Sequence, residues 1–156
     1  MQMKNYFEQI PKYSLLIFFF FIYNLSNAQD CKSVITNALT NESLKARGII
    51  KKEDDGAFRL DYDDVYEEDA HAKFLQSKGF HGGGPSWLGI IHGAFSMCEN
   101  SLTANLDSDV SVTGVSYWSE NVKDLEKIAR VIAAIKSDEK ILLQVIEIAK
   151  QQDMML

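Results

Sequence analysis

Three histidines, His71, His81 and His92, are the only imidazoles in the chain. Imidazole is the usual acid–base and metal-binding group near neutral pH. Their spacing places no two on adjacent turns of one helix, and there is no His-Glu-x-x-His pair, so a helix-borne metal site is not indicated. His71 with Asp63 or Asp64 makes a drawable acid–base dyad, although an acidic chain contains such pairs by chance. His92 falls one residue past an apolar stripe, where a half-buried, hydrogen-bonded imidazole is the default. Ser96, Ser101 and Ser116 lack the G-x-S-x-G setting of an activated serine. Cys98 has no histidine-rich surroundings that would activate a thiol.

The densest chemistry is the acidic run Asp61, Tyr62, Asp63, Asp64, Tyr66, Glu67, Glu68 and Asp69. Hard cations want several oxygens, but the run lacks the ordered alternation and glycine of an EF-hand loop. A solvated acidic face and a docking patch for a basic partner are the stronger readings. Tyr62 and Tyr66 favour the patch, because aromatic rings supply anchoring area at interfaces. Trp118, beside Tyr117 and Ser119 at a strand end, is either core or a further exposed anchor. No residue set implies a cofactor or a metal.

Gly82, Gly83, Gly84 and Pro85 precede Trp87 in a turn that opens a helix. Backbone amides at such a point can cradle an anion. A phosphate loop, however, needs Gly-Lys-Ser/Thr after the glycines, and here a proline removes a donor and no lysine follows. The structural reading is a glycine-built turn into a helix whose stripe is Trp87, Ile90, Ile91, Ala94 and Phe95.

The elements that must position these residues follow from periodicity. Val34, Ile35, Ala38 and Leu39 predict a short first helix. Gly48–Ile50 and Ala57–Leu60 predict a hairpin around the turn Glu53–Gly56. A helix is expected to begin inside the acidic run and to stop at Gly79. The glycine turn and its helix end near Cys98. Asp109–Trp118 alternates and predicts a strand with a bulge at Gly114. Asn121 caps a helix with the stripe Leu125, Ile128, Ile132 and Ile135 and an i,i+4 pair Glu126–Arg130. Ser137 caps a last helix with the stripe Ile141, Leu142, Val145, Ile148 and Ala149. So short a connection makes the last two helices antiparallel neighbours. The expected class is α+β: a small mixed or antiparallel sheet packed against amphipathic helices, in a single two-layer domain.

The N-terminus predicts an export signal. Lys4 and Lys12 precede the apolar run Leu15–Tyr23, and Ser26-Asn27-Ala28 sets small residues at a peptidase site. The run has about half of the roughly 20 apolar residues that a membrane span needs. Residues 1–28 are therefore expected to be a cleaved signal peptide, leaving 29–156 as one periplasmic or secreted domain. Removing Lys4, Lys12 and Glu8 from 16 basic and 22 acidic residues leaves 14 and 21, a net charge of −7. Such a charge disfavours nucleic acid and anionic membranes and favours a basic protein. Cys31 and Cys98 are a candidate disulfide in an exported chain, with two free thiols as the alternative.

The segments Gly79-Phe80, Gly82, Gly84-Pro85-Ser86-Trp87-Leu88-Gly89-Ile90-Ile91 and Asp107-Ser108-Asp109, Tyr117-Trp118-Ser119, with the two closing helices, resemble the bacterial immunity protein 51 family. The resemblance spans roughly Ile49 to Gln152. It implies a small non-enzymatic α/β protein that neutralises a toxin of a polymorphic-toxin system, with a cognate protein toxin of basic surface as partner. An exported carbohydrate- or peptidoglycan-binding module is the alternative, and a small exported hydrolase a more distant one.

Overall fold

The computed structural model describes residues 31–63 and 70–155. Helix α1 covers residues 31–40. Then come β1 (Ile49–Lys52), β2 (Phe58–Asp63), α2 (Ala70–Ser77), α3 (Gly84–Met97), a 3-10 turn (Leu102–Asn105), β3 (Asp107–Val110), β4 (Gly114–Ser119), α4 (Val122–Ser137) and α5 (Glu139–Gln151). The class is α+β, with a four-stranded antiparallel sheet in the order β1-β2-β4-β3.

Side-chain alternation divides the sheet into two faces. Leu60, Tyr62, Val115 and Tyr117 are buried. Across the register, Leu60 opposes Tyr117 and Tyr62 opposes Val115, so these four line one face. Helices α3 and α4 lie against it, and α5 packs on α3 and α4 from behind. Trp87, Ile90, Ile91, Ala94 and Phe95 of α3 are all buried, as are Leu125, Ile128, Ile132 and Ile135 of α4. The opposite face carries Asp61, Ser116 and Asp109 in one row and Lys51, Arg59, Trp118 and Asp107 in the next.

Several sequence expectations need correction. Strand β2 continues through Asp63, because Leu60 and Tyr62 point inward and Asp61 and Asp63 outward; the helix expected within the acidic run appears, among the described residues, as α2. The single bulged strand over Asp109–Trp118 is a hairpin. Ser111 closes it: its Oγ accepts from the Gly114 and Thr113 amides at 2.9 and 3.3 Å, and its N–H donates to Gly114 O at 2.9 Å. Gly114 is needed for close approach, since a Cβ there would stand 2.4 Å from Tyr62 O. Arg130 does not pair with Glu126. It is buried and donates from Nε to Ala38 O at 2.9 Å and from Nη2 to Leu39 O at 3.5 Å, capping the C-terminal end of α1. The cap of α5 is Asp138, whose carboxylate accepts from Lys140 N at 2.8 Å, while Ser137 Oγ turns back to Ala134 O. The buried stripe of α5 uses Ile146, with Ile148 only half-buried.

The hairpin β1–β2 forms as expected, with Gly56 at φ 95° in its turn. Contact between α3 and α5 depends on Gly93, and contact between α3 and the residues after α5 on Gly89. A Cβ on Gly93 would lie 2.8 Å from the Ala149 methyl, and one on Gly89 would lie 2.2 Å from Met154 O.

Candidate functional site

The glycine turn is filled by protein. Gly84 N donates to Val112 O at 3.3 Å, Gly83 N to His81 Nδ1 at 3.3 Å and Gly82 N to Ser86 Oγ at 3.0 Å. All three amides that an anion would need are spent. A Cβ on Gly83 would meet Val112 O at 2.1 Å, and one on Gly84 would meet Gly114 O at 2.1 Å. The three-glycine sequence lets the start of α3 lie flat against the β3–β4 turn, with Pro85 in the first helical turn. Trp87 is fully buried behind it.

The acidic residues divide. Asp64, Tyr66, Glu67, Glu68 and Asp69 lie outside the described residues. Tyr62 is not a surface anchor: it is 3 % exposed and meets Trp87 edge-on, with ring centroids 5.2 Å apart. Asp61 is on the open face, but its charge is answered there. It accepts from Arg59 Nη2 at 3.0 Å, Lys51 Nζ at 3.3 Å and Ser116 Oγ at 2.8 Å, and Arg59 Nε lies 2.9 Å from its Oδ1 as an ion pair. Burial pushes its carboxyl upward, but the hydrogen bonds from Ser116, Arg59 and Lys51 and the Arg59 charge outweigh burial and hold it below 3.8. Asp63 accepts from Thr113 Oγ1 at 2.9 Å.

Trp118 is where the open face has shape. It is half-buried in the row Lys51–Arg59–Trp118–Asp107 and lines a cleft of about 400 Å³. Asp55 from the β1–β2 turn, Leu106 and Asp107 from the start of β3, and Glu120 after β4 complete the walls, and no lysine or arginine lines it. Asp55, Asp107, Glu120 and nearby Asp109 enter none of the ion pairs among the described residues, whereas Glu53 and Asp61 on the β1–β2 side are matched by Arg59 and Lys51. The open face thus grades from neutralised charge at β1 to uncompensated negative charge at β3. Asp55, Leu106, Asp107 and Glu120 were not singled out from sequence as site residues. The Asp107/Asp109 alternation was the available signal, masked because β3 was read as part of one longer strand.

The histidines do not converge. His81 is exposed and accepts from the Gly83 amide. His71 lies on α2. His92 is half-buried and stacks near Tyr117, with centroids 6.3 Å apart, and its buried Nε2 lacks the hydrogen bond expected of it. Burial alone lowers its pKa from 6.5. Burial likewise raises the Tyr117 phenol well above its ordinary range. No group of three or more metal-ligating side chains exists among the described residues.

The cysteines are free thiols, which corrects the expected bridge between Cys31 and Cys98. Cys31 is buried with Sγ turned to Ile141 O at 4.0 Å. Cys98 Sγ faces Lys32 O at 3.9 Å and Thr36 Oγ1 at 3.5 Å. No described helix is long and apolar enough to cross a membrane. Comparison with models of protein families, with curated proteins and with solved structures returned no match.

Proposed function

We propose that this chain is an exported immunity protein that binds a cognate bacterial toxin and neutralises it by covering it, without catalysis. The observation that carries the reading is the Trp118 cleft, an aromatic side chain set among Asp55, Asp107 and Glu120 with no cation on its walls. Uncompensated carboxylates steer a basic partner toward the surface, and an indole gives it an apolar anchor that can also take an arginine by cation–π contact. The resemblance of the glycine turn, the β3–β4 segment and the closing helices to immunity protein 51 sequences supports the same reading. An export signal would set the encounter in the periplasm or outside the cell.

The test is co-purification with a toxin encoded beside this chain, followed by calorimetry. Trp118→Ala and the pair Asp107→Asn with Glu120→Gln are each expected to weaken the complex at least tenfold while leaving the melting temperature nearly unchanged. Loss of protection against the toxin in growth assays should follow the loss of affinity. A neighbouring toxin that forms no complex, or a complex indifferent to all three substitutions, removes the proposal. The half-buried indole flanked by carboxylates also suits stacking on a sugar ring. Binding on a peptidoglycan-fragment panel that Trp118→Ala abolishes would assign the cleft to a glycan instead.

A further inference from the structure

A second cavity lies away from the sheet, where α1, the segment before β1 and α4 meet. Its volume is about 370 Å³, at the low end of the range for small-molecule pockets of about 300–1,000 Å³. In a chain of net charge −6, its lining includes Lys45, Arg47, Arg130 and Lys136 and no carboxylate. Val34, Leu44, Ala133 and Ala134 supply aliphatic surface, and Asn37 and Ser137 complete the lining.

The four cations differ in what they offer. Lys136 carries its ammonium 5.3 Å over the Tyr62 ring and 5.6 Å over Trp87, neither of which lines the cavity. It therefore contributes mainly its methylene stem to the wall. Arg130, 5 % exposed, directs two of its nitrogens to the carbonyls that end α1. A guanidinium has five N–H donors, and carbonyl acceptors leave its charge in place. Lys45 is exposed and Arg47 half-buried at the rim. The cavity thus combines cationic side chains with the aliphatic Val34, Leu44, Ala133 and Ala134. A nucleotide would want an aromatic wall for its base, and none lines this cavity. A strongly hydrated bare anion would gain nothing from Val34, Leu44 and the alanines.

We propose that this cavity binds a small amphipathic carboxylate: one negative headgroup held by Lys45 and Arg130, and a short aliphatic body against Val34, Leu44 and Ala133. The site is independent of the Trp118 cleft and shares no residue with it.

Calorimetric titration of the purified protein with octanoate tests this. Octylammonium, 1-octanol and inorganic phosphate serve as matched probes of charge, chain and bare anion. Octanoate is expected to bind at least tenfold more tightly than each of the other three. Lys45→Glu, a substitution at an exposed side chain, should weaken octanoate at least tenfold. Ala133→Phe, which fills the cavity without touching the charges, should weaken it comparably, and circular dichroism should show both variants folded. The proposal is overturned if octanoate gives no saturable binding at millimolar concentration. It is equally overturned if octylammonium or octanol binds as well as octanoate, if phosphate binds as well, or if octanoate affinity is unchanged in folded Lys45→Glu.

Discussion

Gly83 and Gly84 differ from Gly79 in what surrounds them, and that difference is measurable. Gly79 has φ 87° and nothing within 4 Å of an added Cβ, so Gly79→Ala meets only the left-handed backbone penalty, about 1–2 kcal/mol. Gly84→Ala would place a methyl 2.1 Å from a backbone carbonyl and force α3 off the β3–β4 turn. Overpacking costs about 1–3 kcal/mol and occasionally more, and a backbone carbonyl that cannot rotate away puts this site at the upper end. Urea denaturation of the two variants should separate them by at least the difference. Equal midpoints would mean that the turn is not packed as described. The same comparison discriminates the two readings open at the sequence level, because an anion-cradling loop would tolerate neither substitution in function yet need not lose stability. Trp118 behaves oppositely: it lies on the open face of the sheet, so its removal should be felt in binding and scarcely in folding.

At the scale of elements, the helices were the most legible part of the sequence. The stripe from Trp87 to Phe95 and that from Leu125 to Ile135 are buried where periodicity placed them. What periodicity could not show is which polar residue serves which element. Arg130 reads as a surface partner for Glu126 because both lie on one helix, yet α1 ends beside it and its carbonyls take the guanidinium. The β3–β4 hairpin was hidden because a three-residue serine–valine–threonine turn looks like strand until Ser111 is seen closing it. The candidate cleft was legible only at Trp118. Its carboxylates come from the β1–β2 turn, the start of β3 and the residue after β4, and no local pattern joins them. The Arg130 contact carries a prediction of its own. Arg130→Met keeps the volume and removes the donors, leaving the Ala38 and Leu39 carbonyls unmet at a cost of about 1–3 kcal/mol. Hydrogen exchange should then accelerate across residues 35–40 before it does in α3. Uniform acceleration across the molecule would argue that Arg130 supports the whole core and not the end of α1.

Across the whole molecule, the sheet separates two electrostatic settings, and they titrate in different windows. On the open face, Asp61 is held below its ordinary value by Ser116, Arg59 and Lys51 against the opposing effect of burial, so its contribution is complete above pH 3.8 and fades only below it. On the helix-covered side, His92 sits near Tyr117 with its pKa lowered from 6.5 by burial. The unfolded chain therefore takes up a proton before the folded one does. Stability is full above about pH 6.5 and declines as pH falls from there toward the depressed folded value. Melting temperatures at pH 7.5 and 5.5 isolate this group, since Asp61 remains ionised at both. His92→Phe keeps an aromatic ring near Tyr117 and removes the proton site, so its loss of stability between the two pH values should be smaller than that of the parent. Asp61→Asn should leave the parent's loss over that interval unchanged. If the phenylalanine variant falls as steeply as the parent, the acid sensitivity belongs to another group and the buried Nε2 carries no stability term in this range. The pH at which the fold begins to weaken is then set on the buried side of the sheet, while the uncompensated negative charge lies on the open side. On the proposed reading, binding of a basic partner to the Trp118 cleft should weaken with added salt.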